Sequence, residues 1–239
     1  MISFRKAVVI ATLAMGFNGA SQAALYDRGN GFVYDDFLNI TLTKDANLFS
    51  SMAIKSGDIS DFVATIINSN RGIIYDEPNY LDTPHYSGYK ALDVNDFDAL
   101  SGRASWWGAL AWVGYLNSID YGGYNNWRLP TGRFENTSLT GTEMGYLYSV
   151  ENTRMYNPDN KFDNLINLYW FDNEYPPLNE IAWLFHFSEG SYYQAHKYEL
   201  QRMWAVRDGD VAAVPIPGAI WLFISALACF IRFNHQKHQ

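Results

Sequence analysis

The chain is almost without cysteine. Cys229 is the single one in 239 residues, so no intrachain disulfide and no cysteine-rich metal site can form. Positive charge is also scarce: 17 Lys and Arg stand against 25 Asp and Glu, a formal net charge of -8. A protein held on nucleic acid by phosphate contacts needs the opposite balance, so nucleic acid is not expected as a partner. Charged residues of all kinds make up only 18%, whereas aromatics reach 17%, which excludes a disordered chain. There is no Gly-x-Ser-x-Gly nucleophile elbow and no glycine-rich phosphate loop. Long apolar runs are confined to the two ends.

The N-terminus reads as a secretory signal. Arg5 and Lys6 form a positive region, Ala7 to Phe17 is apolar, and Ser21-Gln22-Ala23 places small residues at a cleavage site, so a cut is expected near Ala23. An uncleaved membrane anchor is the alternative, but the run is short for a span of about 20 residues. At the other end, Pro215 and Pro217 break any helix, and Ala219 to Ile231 then runs without charge. Arg232 and Lys237 follow, and such basic residues stay cytoplasmic. The middle of the chain is therefore expected outside. Val214-Pro-Ile-Pro-Gly218, Ala219-Ile-Trp-Leu-Phe223 and the basic tail resemble the PEP-CTERM class of bacterial sorting signals, in a Val-Pro-x-Pro variant without the eponymous Glu. The resemblance implies processing by an exosortase-type transpeptidase after signal peptidase has acted. The alternative is a plain single-span membrane anchor. Expected boundaries are 1–23 for the signal, 24–210 for the exported domain, and 211–239 for the sorting signal with a transmembrane helix over 219–231.

Between the ends, residues 24–214 hold all 25 acidic residues, 13 basic ones, and 34 aromatics. The net charge there is -12. Gly31–Tyr34 and Asn39–Leu42 read as strands. Asp58–Asn68 is an amphipathic helix, and Ser105 caps another through Leu116. Thr140 and Glu143 fit a capping box before Met144–Val150. Leu168–Phe171, Ala182–Phe187, Tyr192–His196 and Met203–Arg207 read as late strands. Helices early and strands late indicate α+β.

Gly31 to Thr41, Asp45-Ala-Asn47, Trp106 to Leu116, Tyr121 to Thr131 with its Trp127-Arg128-Leu-Pro130 core, Thr142 to Tyr146, and Trp204-Ala-Val-Arg207 resemble a family of exported bacterial domains. That family is related to the C-terminal domain of the collagen-like adhesin Lcl. The resemblance spans most of 29–210, with 52–98 as an expected insertion. The Trp-Arg-Leu-Pro-Thr element and the closing Val-Arg strand are also distantly similar to C-type-lectin-like and formylglycine-generating-enzyme folds. Together these imply a compact lectin-like α+β domain with a twisted antiparallel sheet and two or three helices. Formylglycine generation needs paired cysteines, which this domain lacks. Pro130 should end a strand, and the Arg128 fork suits a carboxylate such as Glu143. Trp127, Arg128, Pro130, Glu143, Trp204 and Arg207 are thus expected to hold the fold.

Nothing selects catalytic residues. Any two of the carboxylates could meet in space, and His85, His186 and His196 have no nucleophile partner in sequence. No cofactor is expected. Asp93, Asn95 and Asp98 offer oxygens at calcium-like spacing, but the glycine and distal Glu of an EF-hand loop are missing, and a solvated acidic loop is the favoured reading. Glu77-Pro78-Asn79 reproduces a lectin calcium tripeptide out of its context. The expected function is a non-catalytic surface or matrix protein binding polysaccharide, including exopolysaccharide, through Tyr169, Trp170, Tyr175, Trp183, Tyr192 and Tyr193, since aromatic faces stack on sugar rings. Two alternatives stay open: a hydrolase using two carboxylates, and a purely structural module.

Overall fold

The computed structural model describes residues 24–75, 89–132, 138–176 and 178–211. The signal segment with Ala23, the sorting segment with Pro215, Pro217, the 219–231 helix and Cys229, and also His85 and Glu77-Pro78-Asn79, lie outside the described residues. Among those described, no helix is long and apolar enough to cross a membrane.

The chain opens with β1 (Leu25–Gly29), β2 (Phe32–Asp35) and β3 (Ile40–Thr43). Asn30 and Gly31 turn the first hairpin with φ of 51° and 84°, the positive-φ pair that a two-residue hairpin turn requires. Helices α1 (Leu48–Ser56) and α2 (Ile59–Ser69) follow, then β4 (Ile73–Tyr75), β5 (Tyr89–Ala91), β6 (Phe97–Asp98) and β7 (Arg103–Ala104). Ser105 starts α3 (Trp106–Ser118), its hydroxyl accepting from Gly108 N at 3.0 Å. After β8 (Trp127–Arg128) and α4 (Glu143–Ser149) come β9 (Leu168–Glu174), β10 (Ile181–His186), β11 (Ser191–His196), β12 (Gln201–Arg202) and β13 (Val206–Asp208).

These strands form a five-stranded antiparallel sheet in the order β1-β2-β3-β13-β8, a six-stranded sheet in the order β11-β10-β9-β12-β7-β6, and the β4–β5 hairpin. The six-stranded sheet is antiparallel except where β12 runs parallel to β9. Its strand β9 shows how one sequence serves two cores. Side chains alternate across a strand, so Trp170 packs with α1, α2 and α3, while Tyr169 and Phe171 face Met144 and Leu147 of α4 and Val33, Leu42 and Val206 of the other sheet. Buried tryptophans need an acceptor for the indole N–H. Trp106 donates to the Phe171 carbonyl at 2.9 Å, Trp170 to Ala104 at 2.9 Å, and Trp204 to Thr43 at 2.8 Å.

The α+β class holds, with three departures in detail. Among the described residues four α-helices replace two or three, because α1 was not legible: Asn47 makes no side-chain cap bond and the helix is only weakly amphipathic. Two larger sheets among the described residues replace one. The cap of α4 is Thr142 rather than Thr140, its hydroxyl accepting from Gly145 N at 3.0 Å. Residues 52–98, expected as an insertion, contribute Ala53, Phe62, Val63, Ile66 and Phe97 to the helical core.

Candidate functional site

The six aromatics expected to contact a ligand separate into three groups. Tyr169 and Trp170 are fully buried. Their polar atoms are bonded internally, Tyr169 Oη accepting from Ile166 N at 2.9 Å, so neither ring can stack on a sugar, and these two expectations are overturned. Tyr192 packs against Phe171 and Phe185, and its hydroxyl donates to the Leu139 carbonyl at 2.8 Å. It holds the segment before α4 in place. Tyr175 and Trp183 lie edge to face with ring centroids 5.2 Å apart. Only Tyr193 of the six is clearly exposed, and its hydroxyl is bonded to Glu189.

A different part of the surface is concave. A groove of about 410 Å³ runs between the end of α4 and the β10–β11 turn, lined by Tyr148, Asn152, Arg154, Met155, Tyr156, Asn157, Phe187 and Ser188. This volume lies in the range of ligand sites, about 300–1,000 Å³. Tyr148 is the fixed wall: it comes from the last turn of α4 and meets Phe185 at 5.8 Å between centroids. The Arg154 guanidinium sits 4.7 Å over the same ring. Tyr156 is 86% exposed. The intervening loop is braced from within: Thr153 N donates to the Leu147 carbonyl at 2.9 Å, and Asn157 Nδ2 to the Asn152 carbonyl at 2.9 Å. Gly190, with φ +66°, approaches Tyr148 so closely that a Cβ there would lie 2.1 Å from the ring. The groove thus offers the exposed Tyr156 ring, two side-chain amides, the Arg154 guanidinium laid over Tyr148, and the Ser188 hydroxyl, and no described lining residue is a carboxylate. The sequence carried a signal for it in the run Asn152-Thr-Arg-Met-Tyr-Asn157, where amide and aromatic residues crowd one loop.

The first turn of α4 is tied to the five-stranded sheet. Arg128 donates to Glu143 through both branches of its fork, at 2.9 Å and 2.7 Å, and to Asp208 at 2.5 Å. Glu143 Oε2 also accepts from Thr131 N at 2.8 Å. Burial works against the Arg128 charge, but Glu143 and then Asp208 outweigh it, and its pKa rises. Trp127 is buried, and the carbonyl of Pro130 accepts from Asp172 N at 3.0 Å. Arg207 donates to Asn126 Oδ1 at 2.8 Å and lies 4.1 Å over the Tyr124 ring. Trp204 is fully buried.

The calcium candidates do not converge. Asp93 Oδ1 accepts from Asn95 N, while Asp98 takes Ser101 and Arg103, which hold its carboxyl below the usual range. No group of three or more His, Cys, Asp or Glu suited to a metal occurs among the described residues. His186 Nδ1 lies 3.0 Å from Ser188 Oγ, and His196 stacks on Tyr198.

No curated protein and no solved structure matches the chain. A family model, the Lcl C-terminal domain, matches residues 82–207. That stretch runs from before β5 into β13 and includes Arg128, Glu143 and every described residue lining the groove, with Asp208 one residue beyond it. It leaves out β1, β2 and β3, although β3 completes the five-stranded sheet by pairing with β13. More than half of the chain is covered, so this protein belongs to the Lcl C-terminal domain family, which suggests a surface-associated, adhesin-like domain.

Proposed function

We propose that this is an exported, non-catalytic surface domain that binds neutral polysaccharide, including exopolysaccharide, in the groove between α4 and the β10–β11 turn. The observation that carries this reading is the lining itself. Tyr156 presents an exposed face on which a sugar ring stacks, Arg154, laid over Tyr148, presents donors, and Asn152 and Asn157 present donors and acceptors for hydroxyls. The lectin-like character read from the sequence belongs to the same proposal, moved from the late strands to this loop. A domain with net charge -12 repels polyanions over its surface, which favours neutral sugars over sulfated ones. Export by signal peptidase near Ala23, membrane attachment through residues 219–231 and exosortase-type processing near Pro215–Gly218 complete the reading.

A glycan array that includes the host's own exopolysaccharide tests the binding. Tyr156→Ala and Arg154→Ala are expected to weaken binding at least about tenfold, the loss of one stacking or charged contact, whereas Tyr193→Ala leaves it unchanged. No hit on any neutral glycan refutes the reading. Intact-mass measurement of the protein from the native cell surface tests the processing. A mass retaining residues 219–239 rejects the C-terminal cut, and one retaining 1–23 rejects the signal peptide.

A further inference from the structure

The start of β1 lies against a group of carboxylates. Ala24 N donates to Asp36 Oδ1 at 3.0 Å, and Asp36 N donates back to the Ala24 carbonyl at 3.4 Å. Leu25 is paired with Asp35, so the first residues of the described chain sit at the acidic end of the β1–β2 ladder. Asp35 is fully buried, and its Oδ1 accepts from Phe37 N and Leu38 N. Its Oδ2 is buried and has no donor, and the same is true of Glu151 Oε1 and Thr153 Oγ1. Among the described residues, Asp35, Asp36 and Glu151 form no ion pair. The other polar groups on this side are Tyr26, whose hydroxyl reaches Asp36 Oδ2 at 3.4 Å, Tyr146 of α4, Glu143, and Asp159 and Lys161, which line a small pocket of about 110 Å³ with Glu151, Thr153 and Leu25.

Three carboxylates without a paired cation, one of them fully buried, are costly. A backbone amide at Ala24 brings one donor and no charge. An α-amino group brings three donors and, with an ordinary pKa of about 7.7–8.0, a full positive charge at neutral pH. We propose that Asp36, with Asp35 and Glu151 around the adjoining Leu25, forms a docking site for the α-ammonium of Ala24, created when the signal peptide is removed, so that processing places a cation directly on the Asp36 carboxylate. The inference rests on the export reading and deepens it. Hydrolysis of the Ala23–Ala24 bond adds the water hydroxyl to the Ala23 carbonyl carbon and a proton to the Ala24 nitrogen, which takes a second proton from solvent. The ammonium is then already within hydrogen-bond distance of Asp36, and no strand has to move. The two less solvated carboxyls show the matching perturbation. Burial, then Asp35 and Asp36, push Glu151 up to about 7, and burial raises Asp35. A cation at Ala24 acts against both shifts.

The test uses the exported chain purified from its native host. The α-amine is titrated by pH-dependent acylation, read on the N-terminal peptide by mass spectrometry, in the folded protein and in urea. The expected result is an α-amine pKa raised by about one unit in the folded state, and acylation about fivefold slower at pH 8. In Asp36→Asn the pKa returns to within about 0.3 of the unfolded value, while Asp36→Glu keeps most of the shift. Burial alone slows acylation without raising the pKa, so a slow but unshifted amine overturns the proposal, as does an amine that reacts as fast as in urea. A mature terminus other than residue 24 overturns it at its premise and relocates the cut. A terminus at Ala24 with an unshifted amine rejects the docking and leaves the export reading intact.

Discussion

Replacing Glu143 with alanine should be among the most damaging single changes outside the hydrophobic core. The carboxylate accepts two bonds from Arg128 and one from Thr131 N. Arg128 and Glu143 are 26% and 11% exposed, so their pair lies between the buried and surface limits. Breaking a buried pair costs about 3–5 kcal/mol and a surface pair about 0–1 kcal/mol; the intermediate burial points to about 2 kcal/mol. The Thr131 N–H left without its acceptor adds about 1 kcal/mol. Asp208, 74% exposed, keeps part of the Arg128 charge compensated and prevents a larger loss. A total of about 3 kcal/mol corresponds to a fall in Tm of about 6–12 °C for a domain of this size. Urea unfolding of wild type, Glu143→Ala, Arg128→Ala and the double variant gives the cost and the coupling, expected at about 2 kcal/mol. A single-variant cost under about 1 kcal/mol, or a coupling near zero, would refute the assignment of this pair as the tie between α4 and the five-stranded sheet.

Gly190→Ala should destabilise the β10–β11 turn by about 1–2 kcal/mol, because the glycine has φ +66° and the new Cβ would meet the Tyr148 ring; glycan binding should fall with it, and an unaltered melting curve counts against the tight approach. With the Ala24 amine acetylated, Glu151→Gln should stabilise the protein at pH 8 and not at pH 4. A carboxyl raised to about 7 in the fold is neutral in both states at low pH. Its cost appears as pH rises from the unfolded value through 7, about 1–2 kcal/mol after solvent screening, and a pH-independent difference rejects this. Millimolar calcium should move Tm by less than about 1 °C, since Asp93 and Asp98 are engaged within their own turns; a clear rise would restore a calcium site.

Periodicity and capping carried far along this chain. The strands around Phe32–Asp35 and Ile40–Thr43, the helix capped by Ser105 and the strands near Leu168–Phe171, Ala182–Phe187 and Tyr192–His196 were legible from local signals, whereas of the expected strand Met203–Arg207 only Val206 and Arg207 lie in β13. The pairing of Arg128 with Glu143 was legible from side-chain geometry alone, since the fork of an arginine suits a carboxylate. The blocks from Trp106 to Arg207 also pointed to the family that residues 82–207 match. The ligand surface was not legible. Aromatic content says how much ring there is, but in alternating strands it does not say which face meets a second layer. Tyr169 and Trp170 are adjacent in β9, and both are buried because that strand has a core on each side. Tyr148 and Tyr156 are brought to one groove by the fold of the loop after α4. Local sequence determines which residues can be strand, helix or cap, since those signals act over a few residues. Which aromatic is core and which meets solvent is decided by the packing of layers distant in sequence, and only the tertiary structure contains that.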